Sequence, residues 1–204
     1  MSRVIVSELL TLDGVMQSPG YSDKDRRGGF TQGGWQLPLF DDVLGATVME
    51  GIQGAGGLLL GRRTYEIFAA HWPNQPADDP IAPTLNALPK YVASTTLKEP
   101  LEWENSTLLS DVPSEVTKLK EQPGGDLLVI GSGVLVQSLM QHGLVDAYQL
   151  MIHPLVLGSG RRLFQDGNIE RTPLRLTDSQ TTPNGIVILT YEPAGTDTQG
   201  EGSQ

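Results

Sequence analysis

Twice in this chain a short apolar run ends in glycine and passes at once into a helix-forming segment. The two places are Leu58-Leu59-Leu60-Gly61-Arg62-Arg63-Thr64 and Leu127-Leu128-Val129-Ile130-Gly131-Ser132-Gly133. Three or four aliphatic residues in a row, with no polar alternation, describe a strand buried on both faces. Such strands need helices above and below them. Where strand and helix alternate along the chain, the strands run parallel and the helices cross over the sheet. The repeated unit therefore points to a layered α/β fold.

The rest of the chain fits that frame. Residues 3–10 are a Val-, Ile- and Leu-rich strand, closed by the turn signal Thr11-Leu12-Asp13-Gly14. Residues 18–35, rich in Gly, Asp, Arg and Ser, form a long loop of the kind used as a lid or binding loop. The spacing of Phe40, Val43, Leu44, Val48 and Ile52 predicts a helix over 38–54, with Pro38 in its first turn. A second helix is expected from Gly61 to about Ala70, then a Pro- and Asp-rich loop over 72–89. Strands follow at 91–94 and 107–109, a helix at 113–121, the strand at 127–130, a helix to about His142 and a strand over 146–157. Residues 174–182 and 185–192 pair as a hairpin around Asn184-Gly185. The expected architecture is three layers: a mostly parallel mixed sheet with an antiparallel C-terminal hairpin, and helices on both faces. Residues 1–193 form one domain, and the polar tail 194–204 is expected to be disordered.

Composition removes several classes of function. The 204 residues contain no cysteine, which excludes disulfides, thiolate metal sites and a cysteine nucleophile. A net charge of −10 argues against a nucleic-acid partner, which calls for a basic footprint. No window approaches the roughly 18 apolar residues of a membrane span. Glu8 and Asp13 interrupt the N-terminal apolar stretch, so no signal peptide is read there. The expected setting is cytoplasmic, away from membranes.

The two glycine-led helix starts carry the chemistry. A helix N-terminus offers unpaired N–H groups and a partial positive charge, and glycine lets a phosphate approach the backbone. Two such sites in one domain suit the two ends of a dinucleotide. Arg62 and Arg63 make the first site cationic, and their forks suit a phosphate monoester such as the 2′-phosphate of NADPH. Ser94 and Thr95 end the next strand and add hydroxyls, either to that phosphate or to an ordinary turn. Val136 stands where a Gly-x-Gly-x-x-Gly fingerprint needs glycine, which disfavours a conventional Rossmann dehydrogenase.

Four blocks carry a family resemblance: Leu12-Asp13-Gly14-Val15-Met16-Gln17 after the first strand, Leu60–Glu66, Val129–Gly133 and Pro154–Phe164. In that order they resemble the dihydrofolate reductase-like proteins related to the reductase domain of bacterial riboflavin biosynthesis. Gly29-Phe30 with Gly33-Gly34-Trp35 resembles a subgroup labelled deaminase/reductase-like. The resemblance implies a central sheet of eight strands and hydride transfer from NADPH to a pterin- or pyrimidine-like heterocycle. It implies cofactor contacts at Gly61, Arg62, Arg63, Thr64, Ser94, Thr95, Gly131, Ser132, Gly133, Val134 and Leu135. It also implies that Asp13 and Gly14 lie in the loop closing beside the nicotinamide, with Gly14 a cofactor contact. A homodimer is a further implication, by similarity to the relatives.

A proton source is needed if a C=N bond is reduced. The family carboxylate early in the first helix falls near Asp41 and Asp42 here, and Asp13 is another candidate acid. Asp13 and Asp42 are the catalytic candidates, with Asp41 a substrate contact. The competing readings are helix N-terminal charge for Asp41 and Asp42, and a turn-forming residue for Asp13. Trp35 either stacks on the substrate ring or anchors the loop in the core. Arg161 and Arg162 could meet an anionic substrate, or mark a bulged strand end. A zinc deaminase requires His-x-Glu and Pro-Cys-x-x-Cys. His71, His142 and His153 stand apart, none has Glu two residues later, and cysteine is absent, so that chemistry and a metal site are not expected. The alternative to a reductase is a non-catalytic nucleotide- or flavin-binding protein on the same fold.

Overall fold

A computed structural model describes residues 1–20, 25–164 and 171–195. The sheet has eight strands: β1 (Val4–Thr11), β2 (Ala55–Gly61), β3 (Lys90–Ala93), β4 (Ser106–Leu109), β5 (Asp126–Ile130), β6 (Ala147–His153), β7 (Leu174–Thr181) and β8 (Val187–Pro193). Their order across the sheet is β4-β3-β2-β5-β1-β6-β8-β7. The first six run parallel, and β8 turns antiparallel against β6 and β7. The helices are α1 (Asp42–Gly54), α2 (Arg62–His71), α3 (Ala82–Ala87), α4 (Val112–Glu121) and α5 (Gly133–Gln141). The mixed sheet with its closing hairpin is as the sequence predicts.

The layers follow from strand alternation. Val4, Val6 and Leu10 of β1 join Val116 of α4 and Leu135, Val136 and Leu139 of α5 in one apolar cluster. On the opposite face, Leu58 and Leu60 of β2 pack with Ile52 of α1, Tyr65 of α2 and Leu85 of α3. Leu59, one step out of phase, belongs to the first cluster, so β2 is buried on both faces. Full burial of each such side chain stabilises by about 1.5–3 kcal/mol.

Several boundaries move. Leu37–Leu39 form a short 3-10 turn, and α1 begins only at Asp42, because the Asp41 carboxylate accepts the Leu44 N–H and fixes the start there. The predicted loop 72–89 contains α3, whose first turn takes Pro83 and whose start is held by Asp79 accepting the Ile81 and Ala82 N–H groups. Strand β6 ends at His153, because Pro154 has no N–H for the ladder. The expected tail lies, from residue 196 onward, outside the described residues. Among the described residues, no helix is long and apolar enough to cross a membrane, and no group of three or more His, Asp or Glu side chains could hold a metal ion.

Candidate active site

β2 and β5 are neighbours in the sheet, so α2 and α5, which follow them directly, start side by side. Ser132 locks the two starts together. Its Oγ accepts the Gly61 N–H at 2.9 Å and donates to Thr64 Oγ1 at 2.9 Å. To do so, Gly131 and Ser132 both take left-handed backbone, at φ of 60° and 67°. That conformation is costly for serine. At Gly131 a Cβ would also stand 3.1 Å from Thr64 Oγ1.

The capping pattern separates these helices from α1 and α4. α1 and α4 are capped by the carboxylates of Asp41 and Asp111. α2 and α5 have no side-chain cap. The first turns of both helices border one cavity, with the helix dipoles behind them. This cavity of about 820 Å³ is of ligand-site size. Glu66 pairs with both Arg62 (3.2 Å) and Arg63 (3.6 Å), holding two half-exposed guanidinium groups at the rim. Gly61, Arg62, Arg63, Thr64, Ser94, Thr95, Gly131, Ser132, Gly133, Val134 and Leu135 all lie on the cavity wall. Ser94 Oγ also accepts the Thr96 and Leu97 N–H groups, so it shapes the turn as well.

The loop after β1 covers one side of the cavity and is pinned by Gln17. The buried Gln17 amide donates to the carbonyls of Asp25 (3.1 Å) and Arg27 (3.0 Å), and its Oε1 accepts the Arg161 N–H (3.0 Å). Asp25, almost fully buried, is ion-paired with Arg27. The Arg27 hydrogen bond holds its carboxyl below the usual range, with nearby Arg63 adding a smaller pull.

Of the remaining sequence candidates, Arg161 and Arg162 lie on the cavity wall, and Asp13, Gly14, Trp35, Asp41 and Asp42 lie off it. Asp13 accepts from Thr11 Oγ1 (2.6 Å), Leu157 N–H (3.2 Å) and Gly158 N–H (2.9 Å), and pairs with Arg162. Led by the Thr11 bond, these contacts hold its carboxyl at about 2, a poor value for an acid at neutral pH. It fastens the turn at Gly14 to the segment after β6. Gly14 itself, at φ 79°, makes that turn and accepts the Leu163 N–H. Asp41 caps α1 and accepts the Asn184 N–H of the hairpin turn, and Asp42 is exposed in the first turn. Trp35 is a buried anchor: its Nε1 donates to the Gln17 carbonyl at 2.9 Å, and its ring stands edge-on to His153.

Two wall residues escaped the sequence reading. Glu8, in the middle of β1, is 3% exposed, and its Oε1 has no partner. Burial pushes its carboxyl well above the usual range, while a hydrogen bond from the Gly131 N–H opposes that shift. Trp72 lines the cavity with the apolar side chains of Phe68, Ile81 and Leu85, and its Nε1 has no acceptor.

Residues 2–188 match the family of the RibD C-terminal domain. YyaP of Bacillus subtilis strain 168, an uncharacterized protein, is 27% identical over 192 residues, covering 93% of this chain and 94% of its own. A pyrimidine reductase-like protein of Corynebacterium diphtheriae superposes with a TM-score of 0.62 at 12% identity, covering 95% of this chain and 92% of that one. Dihydrofolate reductase of Enterococcus faecalis, solved with NADP(H), superposes at 0.60 and 12% identity, covering 94% and 96%. At such identities these two likenesses establish the shared fold, which is dihydrofolate reductase-like. With the family match extending over nearly all of the described residues, this chain belongs to the RibD C-terminal domain family.

Proposed function

We propose that the protein is an NADPH-dependent reductase that passes hydride to a small pterin- or pyrimidine-like heterocycle. The observation that carries this reading is the pair of adjoining, uncapped helix starts on one cavity wall, with Arg62 and Arg63 at the rim. A diphosphate with a terminal phosphate monoester is the ligand whose charges match such a wall. The NADP(H) bound by the Enterococcus enzyme of the same fold supports the choice.

The fit can be followed residue by residue. The first-turn N–H groups of α2 and α5 would take the phosphate oxygens. Arg62 and Arg63 would hold the 2′-phosphate, with Ser94 and Thr95 beside it at the end of β3. Gly131, between β5 and α5, keeps the space beside Thr64 of α2 free of a side chain. When bound, the reduced nicotinamide supplies the hydride. The chain's own work is to orient two flat rings and to exclude water, which the loop pinned by Gln17 does on one side and the apolar wall of Phe68, Trp72, Ile81 and Leu85 on the other.

The test is a screen for NADPH oxidation against a panel of pterins, pyrimidines and flavins. Stoichiometric NADPH loss with one member of the panel is expected. Binding of NADPH with no acceptor turned over would favour a nucleotide-binding role without catalysis.

A further inference from the structure

Glu8 is a buried carboxyl that no structural need explains. The face of β1 on which it lies is otherwise apolar: Val6 and Leu10 flank it, and Leu150 of β6 is its register partner. Val129 of β5 and Leu135 of α5 belong to the same cluster. No charged side chain contributes to its titration. The titratable neighbour on that face, Tyr148, is kept neutral by burial, its hydroxyl pushed up to about 12. A valine or leucine would pack here without the penalty of burying a polar group, which runs to several kcal/mol for one left unpaired. The one group that opposes the upward shift of the Glu8 carboxyl is the Gly131 N–H, at the first residue of the turn that opens α5. Glu8 and Gly131 both line the cavity. The orphaned Oε1 thus sits where the ligand site meets the core, at a place that selects for a neutral carboxylic acid.

We propose that Glu8 is the acid of this site: as a neutral carboxyl it gives its proton to the ring nitrogen of the acceptor's C=N bond as the adjoining carbon takes the hydride. The inference rests on the reductase reading above. The C=N double bond becomes a C–H and an N–H bond, and the two electrons come with the hydride from the reduced nicotinamide. Glu8 is left as a carboxylate, steadied by the Gly131 N–H, and regains its proton from water when the product leaves. Asp13, Asp41 and Asp42, which carry the other carboxylates read from the sequence, lie off the cavity wall.

The experiment compares wild type, Glu8→Gln and Glu8→Asp. Infrared spectra of ligand-free protein at pH 7 should show a protonated-carboxyl band that Glu8→Gln removes. With the acceptor found in the screen, Glu8→Gln should lose about 10²–10⁴-fold in hydride transfer while its NADPH affinity stays within about twofold. Glu8→Asp should recover part of the rate, and the alkaline limb of the wild-type pH profile, where the rate falls as Glu8 loses its proton, should follow the infrared titration of Glu8. If Glu8→Gln does not fold, wild-type protein labelled with carboxyl-¹³C glutamate supplies the same comparison between titration and rate. An ionised Glu8 at pH 7, or an undiminished rate in folded Glu8→Gln, overturns this assignment and leaves the reductase standing. A panel without any acceptor overturns the reductase reading itself, and the acid with it.

Discussion

The Oγ of Ser132 accepts the backbone N–H of Gly61 at 2.9 Å, joining two helix starts that are 71 residues apart in sequence. Most serines at a helix start turn their hydroxyl back onto their own first turn. This one leaves α5 uncapped and reaches sideways, and the first turns of both helices line the cavity.

Replacing Ser132 by alanine removes that bond and keeps the left-handed backbone. The Gly61 N–H is left without its acceptor, so Ser132→Ala should destabilise by about 1–3 kcal/mol in urea unfolding. Ser132→Gly should recover part of this, because glycine takes φ of 67° without strain. Both variants should bind NADPH more weakly than wild type. Equal stability of all three proteins would mean that the bridge contributes nothing.

Asp13 provides a pH-dependent test of the turn after β1. Its carboxyl is held at about 2, against an ordinary 3.8, first by the Thr11 hydroxyl and then by the Leu157 and Gly158 N–H groups. A depressed folded-state value means stability that is fully present above about pH 4 and is lost as the pH falls toward 2. Asp13→Asn should therefore be less stable than wild type near neutrality, and the gap in denaturant midpoint should close between about pH 4 and 2. A gap that does not change with pH would contradict the bonding described here.

Trp35 anchors the loop and stands off the cavity wall. Trp35→Phe keeps an aromatic ring against His153 and leaves the Gln17 carbonyl without its donor. It should cost about 1–3 kcal/mol of stability. NADPH affinity, measured well below the melting temperature, should change by less than about threefold, an effect under about 0.7 kcal/mol. A large loss of affinity with unchanged stability would restore Trp35 as a ligand contact.

What the sequence made legible was the local part. A strand, a glycine and a helix start follow one another within a few residues, so Gly61–Thr64 and Gly131–Leu135 could be assigned to a ligand wall without tertiary knowledge. The roles of Asp13 and Trp35 were not local. Besides nearby Thr11, the partners of Asp13 include Leu157 and Gly158, about 145 residues on, and Trp35 leans on His153. Helix α3 hid inside a Pro- and Asp-rich stretch because Pro83 and Asp79 serve as helix-start residues as readily as loop residues. Glu8 did leave a signal. It falls in the same alternating register as Val4, Val6 and Leu10, and a lone acid on the buried face of a strand is rare enough to mark a site.

Calorimetric titration of NADPH and NADH into wild type, Arg62→Ala and Arg63→Ala tests the central claim most directly. NADPH should bind wild-type protein at least about tenfold more tightly than NADH, a difference of about 1.4 kcal/mol, and each arginine change should shrink that margin while leaving NADH binding nearly unaltered. Equal binding of the two nucleotides, or binding of neither, would contradict the assignment of this cavity to NADPH.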